Sequence, residues 1–168
     1  NVGALNDAIE SGRSQEIILV SEALHEQHIA EIAGQIVERR GLARLILIAG
    51  PTSSGKTTFA RRLTVQLLAY GLSTFSLELD NYFVDRLKTP PGEDGKPDFE
   101  AIESLDLGLL AIHLQGLLEG QLVQLPRYDF PSGTSRPGDV IQLRPDQLII
   151  LEGIHGLNPR LIPSAIAG

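Results

Sequence analysis

The sequence predicts an α/β fold, an open and mostly parallel sheet with helices on both faces, and three observations carry that expectation. Apolar strand candidates alternate with helix candidates through residues 42–168. The candidates Arg44–Ala49 and Gln147–Leu151 are apolar at successive positions, so both of their faces need cover, as in the middle of a parallel sheet. A loop of small residues, Gly50-Pro51-Thr52-Ser53-Ser54-Gly55-Lys56-Thr57, then joins the first of these strands to the next helix.

In chain order, Glu16–Val20 is a short β-branched run that reads as a strand, with Ser21 able to cap a following helix. Ile29, Ile32, Ala33, Ile36 and Val37 recur at helical spacing, and Gly41 ends that segment. After the strand at Arg44–Ala49, Lys56–Tyr70 reads as a helix with Phe59, Leu63, Leu67 and Leu68 inward and Gly71 at its C-terminal cap. Ser73–Leu79 is a second strand that runs into Asp80. Residues 85–100 are a polar loop rich in Pro and Gly, Leu105–Leu118 a helix, and Leu122–Leu125 a short strand or extended segment. "RYDFPSGTSRPGD" reads as a second exposed loop.

Composition narrows the class of protein. The chain has 168 residues, enough for one domain with a sizeable core. Hydrophobic residues make up 42% and charged residues 21%, in keeping with a globular protein. A formal net charge of −7 argues against non-specific binding to nucleic acid or anionic membranes. The absence of cysteine excludes disulfides, thiolate metal sites and Cys nucleophiles. No apolar run approaches a membrane span and no signal peptide opens the sequence, so a cytoplasmic location is expected. Asn1 in place of Met, and an end at "SAIAG", lead us to expect a piece of something longer. Oligomeric state is not legible.

The loop matches G-x-x-x-x-G-K-[ST] without a mismatch and lies between a buried strand and a helix, where a phosphate cradle must lie. Glycines let backbone N–H groups converge on phosphate oxygens, and the helix N-terminus adds a favourable dipole. Gly50 through Thr58 are therefore the expected nucleotide-binding segment, with Lys56 on the β- and γ-phosphates and the Thr57 hydroxyl on Mg²⁺. There is no N-K-x-D sequence of the kind that reads guanine. The phosphate loop alone does not choose among reactions.

Acids at strand ends narrow the choice, because ligands sit outside the carboxyl ends of parallel strands. Asp80 closes "STFSLELD" and is placed to orient or deprotonate a hydroxyl. Glu152 closes "QLIILE" and has the placement of a Mg²⁺-linked acid. Arg127, Tyr128 and Asp129 combine a cation, a ring and an acid, a set suited to a flat base with hydroxyls. Tyr82 and Arg136 complete the acceptor-side candidates. The pair His25 and His28 is spaced i, i+3 and not the i, i+4 of a zinc-protease helix. His113 reads as surface or core filling, and His155, though close to Glu152, takes no role.

In order, "GPTSSGKTTFA", "LDNYF", "PDFEAIESLDL", "LPRYDF" and "LIILEGIHGL" resemble the uridine kinase/phosphoribulokinase family of P-loop kinases. The resemblance spans Leu45 to about Leu157 and implies a P-loop NTPase fold using ATP and Mg²⁺. It implies Asp80 as general base for an acceptor hydroxyl and Glu152 as the acid linked to Mg²⁺. Glu100 falls where uridine kinases place an aspartate on the ribose hydroxyls, and Tyr128 matches their tyrosine beside the base. At Gly133 those kinases usually carry a base-reading histidine. The family's lid should follow the E-G-I segment, so the resemblance implies a kinase core over 42–168 that stops before that lid. Residues 1–41 look most like the tail of an upstream domain and a linking helix in bacterial multidomain uridine kinase-like proteins.

The expected activity is phosphoryl transfer from ATP to a hydroxyl of a small, nucleoside-like acceptor. A sugar phosphate or pantothenate as acceptor stays open, with Arg86, Arg127 and Arg136 the loop arginines that could serve a phosphorylated one. So does a nucleotide-binding regulatory module without turnover.

Overall fold

A computed structural model describes residues 2–162. Two helices open the chain, α1 (Val2–Glu10) and α2 (Ser14–Glu38). They are followed by β1 (Leu45–Ala49), α3 (Lys56–Ala69), β2 (Thr74–Glu78), α4 (Leu107–Leu118), β3 (Val123–Asp129), β4 (Thr134–Ile141) and β5 (Leu148–Gly153). The main sheet is parallel in the order β1-β5-β2, and β3 and β4 form a separate antiparallel pair. Among the described residues no helix is long and apolar enough to cross a membrane.

β5 is the centre. All six of its residues are buried, and its register sets Leu47 and Leu77 on either side of Leu151. Alternation along the strands sends Ile46, Ile48, Leu148 and Ile150 to one face, where Ile29 and Ala33 of α2 and Leu63 and Leu67 of α3 cover them. Leu45, Leu47, Leu77, Ile149 and Leu151 face the other way, against Leu110, Leu114 and Leu117 of α4 and Val123 and Leu125 of β3. The expected sandwich of helices on both faces is therefore present.

Local signals set the start of α4 and the end of α3. Asp106 Oδ1 accepts from the Leu109 amide at 2.9 Å and starts α4 two residues later than the pattern suggested. Leu105 is instead held in an antiparallel bridge to Phe83. Gly71, at φ +77°, closes α3, with Leu72 N–H on Leu67 O and Gly71 N–H on Leu68 O. Ala60, Leu63 and Leu67 form the buried stripe of α3, whereas Leu68 turns outward and is exposed. Phe59 is half-buried at the edge of the stripe.

Two further expectations are corrected. Glu16–Val20 is not a strand but lies inside α2, and Ser21 is a mid-helix residue rather than a cap. The run has no partner strand among the described residues, so continuing the helix satisfies its backbone groups. The segment 127–139, expected as a loop, is mostly β-hairpin, with Arg127 opposite Arg136 and Tyr128 opposite Ser135. A register shift between Gln124 and Pro126 breaks the alternation, and prolines stand opposite each other at 126 and 137. Those features disguised the strands.

His113 of α4 lies 3.2 Å from the hydroxyl of the buried Tyr82 through Nδ1. Burial holds its pKa below the ordinary 6.5, and the nearby Asp106 charge offsets this only in part. The unfolded chain therefore takes up the proton first as pH falls, and stability declines from just below pH 6.5 downward. His113→Gln should flatten that part of the profile in urea titrations at successive pH values. Leu151→Ala, at a fully buried position of β5, should cost about 2–5 kcal/mol of stability by denaturant unfolding.

Candidate active site

The phosphate loop occupies the turn between β1 and α3, at the carboxyl end of the parallel sheet. Its backbone takes conformations that demand particular residues. Gly55 caps α3 at φ +87°, and Ser53 sits at φ +60°. A Cβ on Gly50 would lie 2.7 Å from Ser54 Oγ and 3.2 Å from Lys56 Cγ. The loop folds so tightly that Lys56 Nζ donates to Pro51 O at 2.8 Å. The first amides of α3 have no intrahelical acceptor and no side-chain cap, so they point at whatever lies in the loop.

β2 and β5 end side by side, with Glu78 in register with Glu152. Glu152 is only 7% exposed and its Oε2 has no hydrogen-bond partner. Beyond β2 the chain makes a 3-10 turn over Leu79–Tyr82. Leu79 and Tyr82, three residues apart on such a turn, both face the core, and Asp80 is exposed on the outer side. The turn approaches β5 so closely that a Cβ on Gly153 would meet Leu79 Cδ1 at 2.5 Å. Gly156 is equally confined, 2.6 Å from Ile48 O by the same measure.

A cleft of about 560 Å³ opens over these elements. Thr52, Ser53, Lys56 and Thr57 form one wall, and Glu78, Asp80, Glu100 and Glu152 supply its acids. Phe83, Phe99 and Phe130 form an aromatic side, with Phe83 edge-on to Phe99 at 5.2 Å and to Phe130 at 6.1 Å. Arg86 completes the lining there.

The sequence candidates divide accordingly. Lys56, Thr57, Asp80, Glu100 and Glu152 share the cleft with Thr52 and Ser53. Gly50 and Pro51 shape the loop from behind, and Ser54, Gly55 and Thr58 face a second concavity beside His25 and Phe59. Tyr82 is 1% exposed, and burial pushes its hydroxyl pKa well above the ordinary range. Tyr128 is also buried, edge-on to Phe83 and Phe130, with a hydroxyl that finds no partner. Arg127 lines a different concavity with Asn81 and Asp139. Arg136 is ion-paired to Asp129 at 3.1 Å. That carboxyl sits below its usual range, chiefly through the Ser132 hydroxyl and then with help from the Ser132 amide and Arg136. Tyr82, Arg127, Tyr128 and Arg136 thus do not line the cleft.

Arg86, one of the three loop arginines considered for a phosphorylated acceptor, lines it, and so do Glu78, Phe83, Phe99, Phe130 and Ile154, which the sequence had not singled out. Glu78 was detectable, since it precedes Asp80 by two residues at the end of the same strand. Nothing in the sequence signalled the convergence of the phenylalanines, which come from three separate segments.

A divalent cation fits the donor set. Among the described residues no cluster of three or more His, Asp or Glu forms a metal cage. The orphaned Glu152 Oε2 and the Thr57 hydroxyl instead suit an ion that takes most of its ligands from phosphate and water.

A phosphate cradle facing acids at the ends of parallel strands defines the class of P-loop phosphotransferases. Within that class the chain belongs to the phosphoribulokinase/uridine kinase family, whose model matches residues 45–164, and whose members are P-loop kinases. It is 35% identical over 115 residues to a uridine kinase of Halobacterium salinarum, covering 68% of this chain and 49% of that protein. It is 37% identical over 110 residues to a uridine kinase of Brevibacillus brevis, covering 66% of this chain and 50% of the relative. The chain thus spans about half the length of these curated relatives. The solved structure of a possible uridine kinase from Bacillus stearothermophilus superposes with a TM-score of 0.65 at 26% identity, covering 80% of this chain and 74% of that one.

Gly50→Ala places a methyl group where Ser54 and Lys56 now pack. If the loop holds the phosphates of ATP, as proposed below, this change should weaken ATP binding at least about tenfold by calorimetry while leaving the unfolding midpoint nearly unchanged.

Proposed function

We propose that this cleft transfers the γ-phosphoryl group of ATP to a hydroxyl of a nucleoside-like small molecule, uridine or cytidine in type. The observation that carries the reading is the meeting of Lys56, Thr57, Asp80 and Glu152 in one cleft. The names of the matched uridine kinases support the acceptor class.

In this reading the loop amides and Lys56 bind the β- and γ-phosphates, Lys56 exchanging its contact with Pro51 O for phosphate oxygens. Thr57 and Glu152 would hold Mg²⁺, which when bound would supply neutralisation of phosphate charge. Asp80 accepts the proton of the attacking hydroxyl and aligns it. Glu100 accepts hydrogen bonds from the other hydroxyls of the acceptor. Phe83, Phe99 and Phe130, packed edge-on, offer an apolar side to the acceptor, and Tyr128 backs Phe83 and Phe130 from inside.

Asp80→Asn keeps the shape of the side chain and removes the base. It should lower kcat by roughly 10²–10⁴-fold with ATP affinity retained. Acceptor phosphorylation at the wild-type rate by this variant would remove the proposed role of Asp80 in the reaction.

A further inference from the structure

Arg86 is held in the cleft by an arrangement that the chemistry above leaves unused. Its backbone N–H donates to Gly133 O at 2.8 Å, and its Nη2 donates to Phe130 O. Its neighbour Asp85 accepts from the Ser135 amide at 3.1 Å through Oδ1. The segment after Asp80 is thus pinned to the turn of the β3–β4 hairpin. Gly133 lies at φ +68° and is buried although it belongs to a surface turn, because Arg86 covers it. A Cβ there would stand 2.8 Å from Arg86 Cβ and Nε and 2.9 Å from Cζ. A bare residue at 133 is therefore the seat of this guanidinium.

Arg86 has no carboxylate partner among the described residues, whereas the nearby Lys88 and Arg136 have theirs. Its Nε and Nη1 make no hydrogen bond among those residues, and both belong to a side chain lining the cleft beside Asp80, Glu100 and Phe130. Lys56 is the other cation of that lining, and it belongs to the phosphate loop. Fixing an exposed arginine costs side-chain entropy, which a ligand contact would offset.

We propose that Arg86, seated on Gly133, is a specificity-determining residue that donates to hydrogen-bond-accepting oxygens on the acceptor, away from the hydroxyl attacked. This rests on the reading that the acceptor occupies this cleft. A guanidinium only donates, so it matches carbonyl or anionic oxygens and meets an amino group donor to donor. Uridine is accordingly preferred to cytidine, while a sugar phosphate would satisfy the same donors through its phosphate oxygens.

The test uses the intact protein with uridine, cytidine and ribulose 5-phosphate as acceptors. Kinetics are compared for wild type, Arg86→Ala, Arg86→Lys, Gly133→Ala and the Arg86→Ala/Gly133→Ala double variant. Acceptor binding is measured in parallel by calorimetry beside a non-hydrolysable ATP analogue. Uridine should be the better nucleoside for wild type. Arg86→Ala should raise KM for it by about 10–100-fold, with kcat within about threefold and KM for ATP unchanged. Arg86→Lys should recover part of the loss. Gly133→Ala should raise the same KM, and the double variant should be no worse than Arg86→Ala alone, because both act through one side chain. An unchanged acceptor KM and binding constant in Arg86→Ala overturns the proposal, as does equal use of uridine and cytidine by wild type. A preference for ribulose 5-phosphate that Arg86→Ala abolishes upholds Arg86 and overturns the nucleoside reading. ATP binding with no acceptor bound or phosphorylated overturns both.

Discussion

The parallel pairing of β5 between β1 and β2 is the constraint on which the rest of the structure depends. Its six buried residues take cover from both helical layers and hydrogen bonds from both neighbours. Because the strands are parallel and in register, their carboxyl ends finish together. The phosphate loop follows one of them, Glu152 closes another and Glu78 closes the third. Charged groups that would otherwise repel or scatter are held at one edge by an apolar ladder that carries none of the chemistry itself.

Close approach is the second constraint, and glycine sets it at three places. Gly50 lets Lys56 fold back over its own loop, so the lysine is held by Pro51 O rather than waving in solvent. Gly153 lets the turn bearing Asp80 press against β5, which fixes the distance between the proposed base and the acid end of that strand. Gly133 does the same on the acceptor side, where the backbone of one turn becomes the floor under Arg86. At Gly50 and Gly133 a methyl group would press on a charged side chain, Lys56 or Arg86, and at Gly153 it would press on the buried Leu79 behind Asp80.

Legibility in the sequence followed the range of the interactions. The loop, its flanking strand and helix, and the acids Asp80 and Glu152 were readable because each depends on neighbours within a few residues. The strand misplaced at Glu16–Val20 shows the limit, since β-branched composition says nothing about whether a partner strand exists. Most of the hairpin over 123–141, beyond the Leu122–Leu125 segment, was hidden for a related reason. Its bulge shifts the alternation by one residue, so Val123, Leu125 and Tyr128 are buried on a pattern that no period of two reveals. Tyr82 and Tyr128, polar-tipped rings in promising motifs, went to the core, and Phe83, Phe99 and Phe130 line the aromatic side of the cleft.

The sequence by itself determined the layer architecture, the phosphate loop and the strand-end acids, because hydrophobic period, glycine placement and motif spacing are local properties of a chain. Only the tertiary structure decided which aromatic rings face the cleft, that Glu78 joins Glu152, and that Arg86 is seated over Gly133. Those choices bring together segments between 16 and 74 residues apart in the chain, and their outcome rests on register and packing between elements. The proposed phosphate end of the site is therefore written in the chain, and the proposed acceptor end is written in the fold.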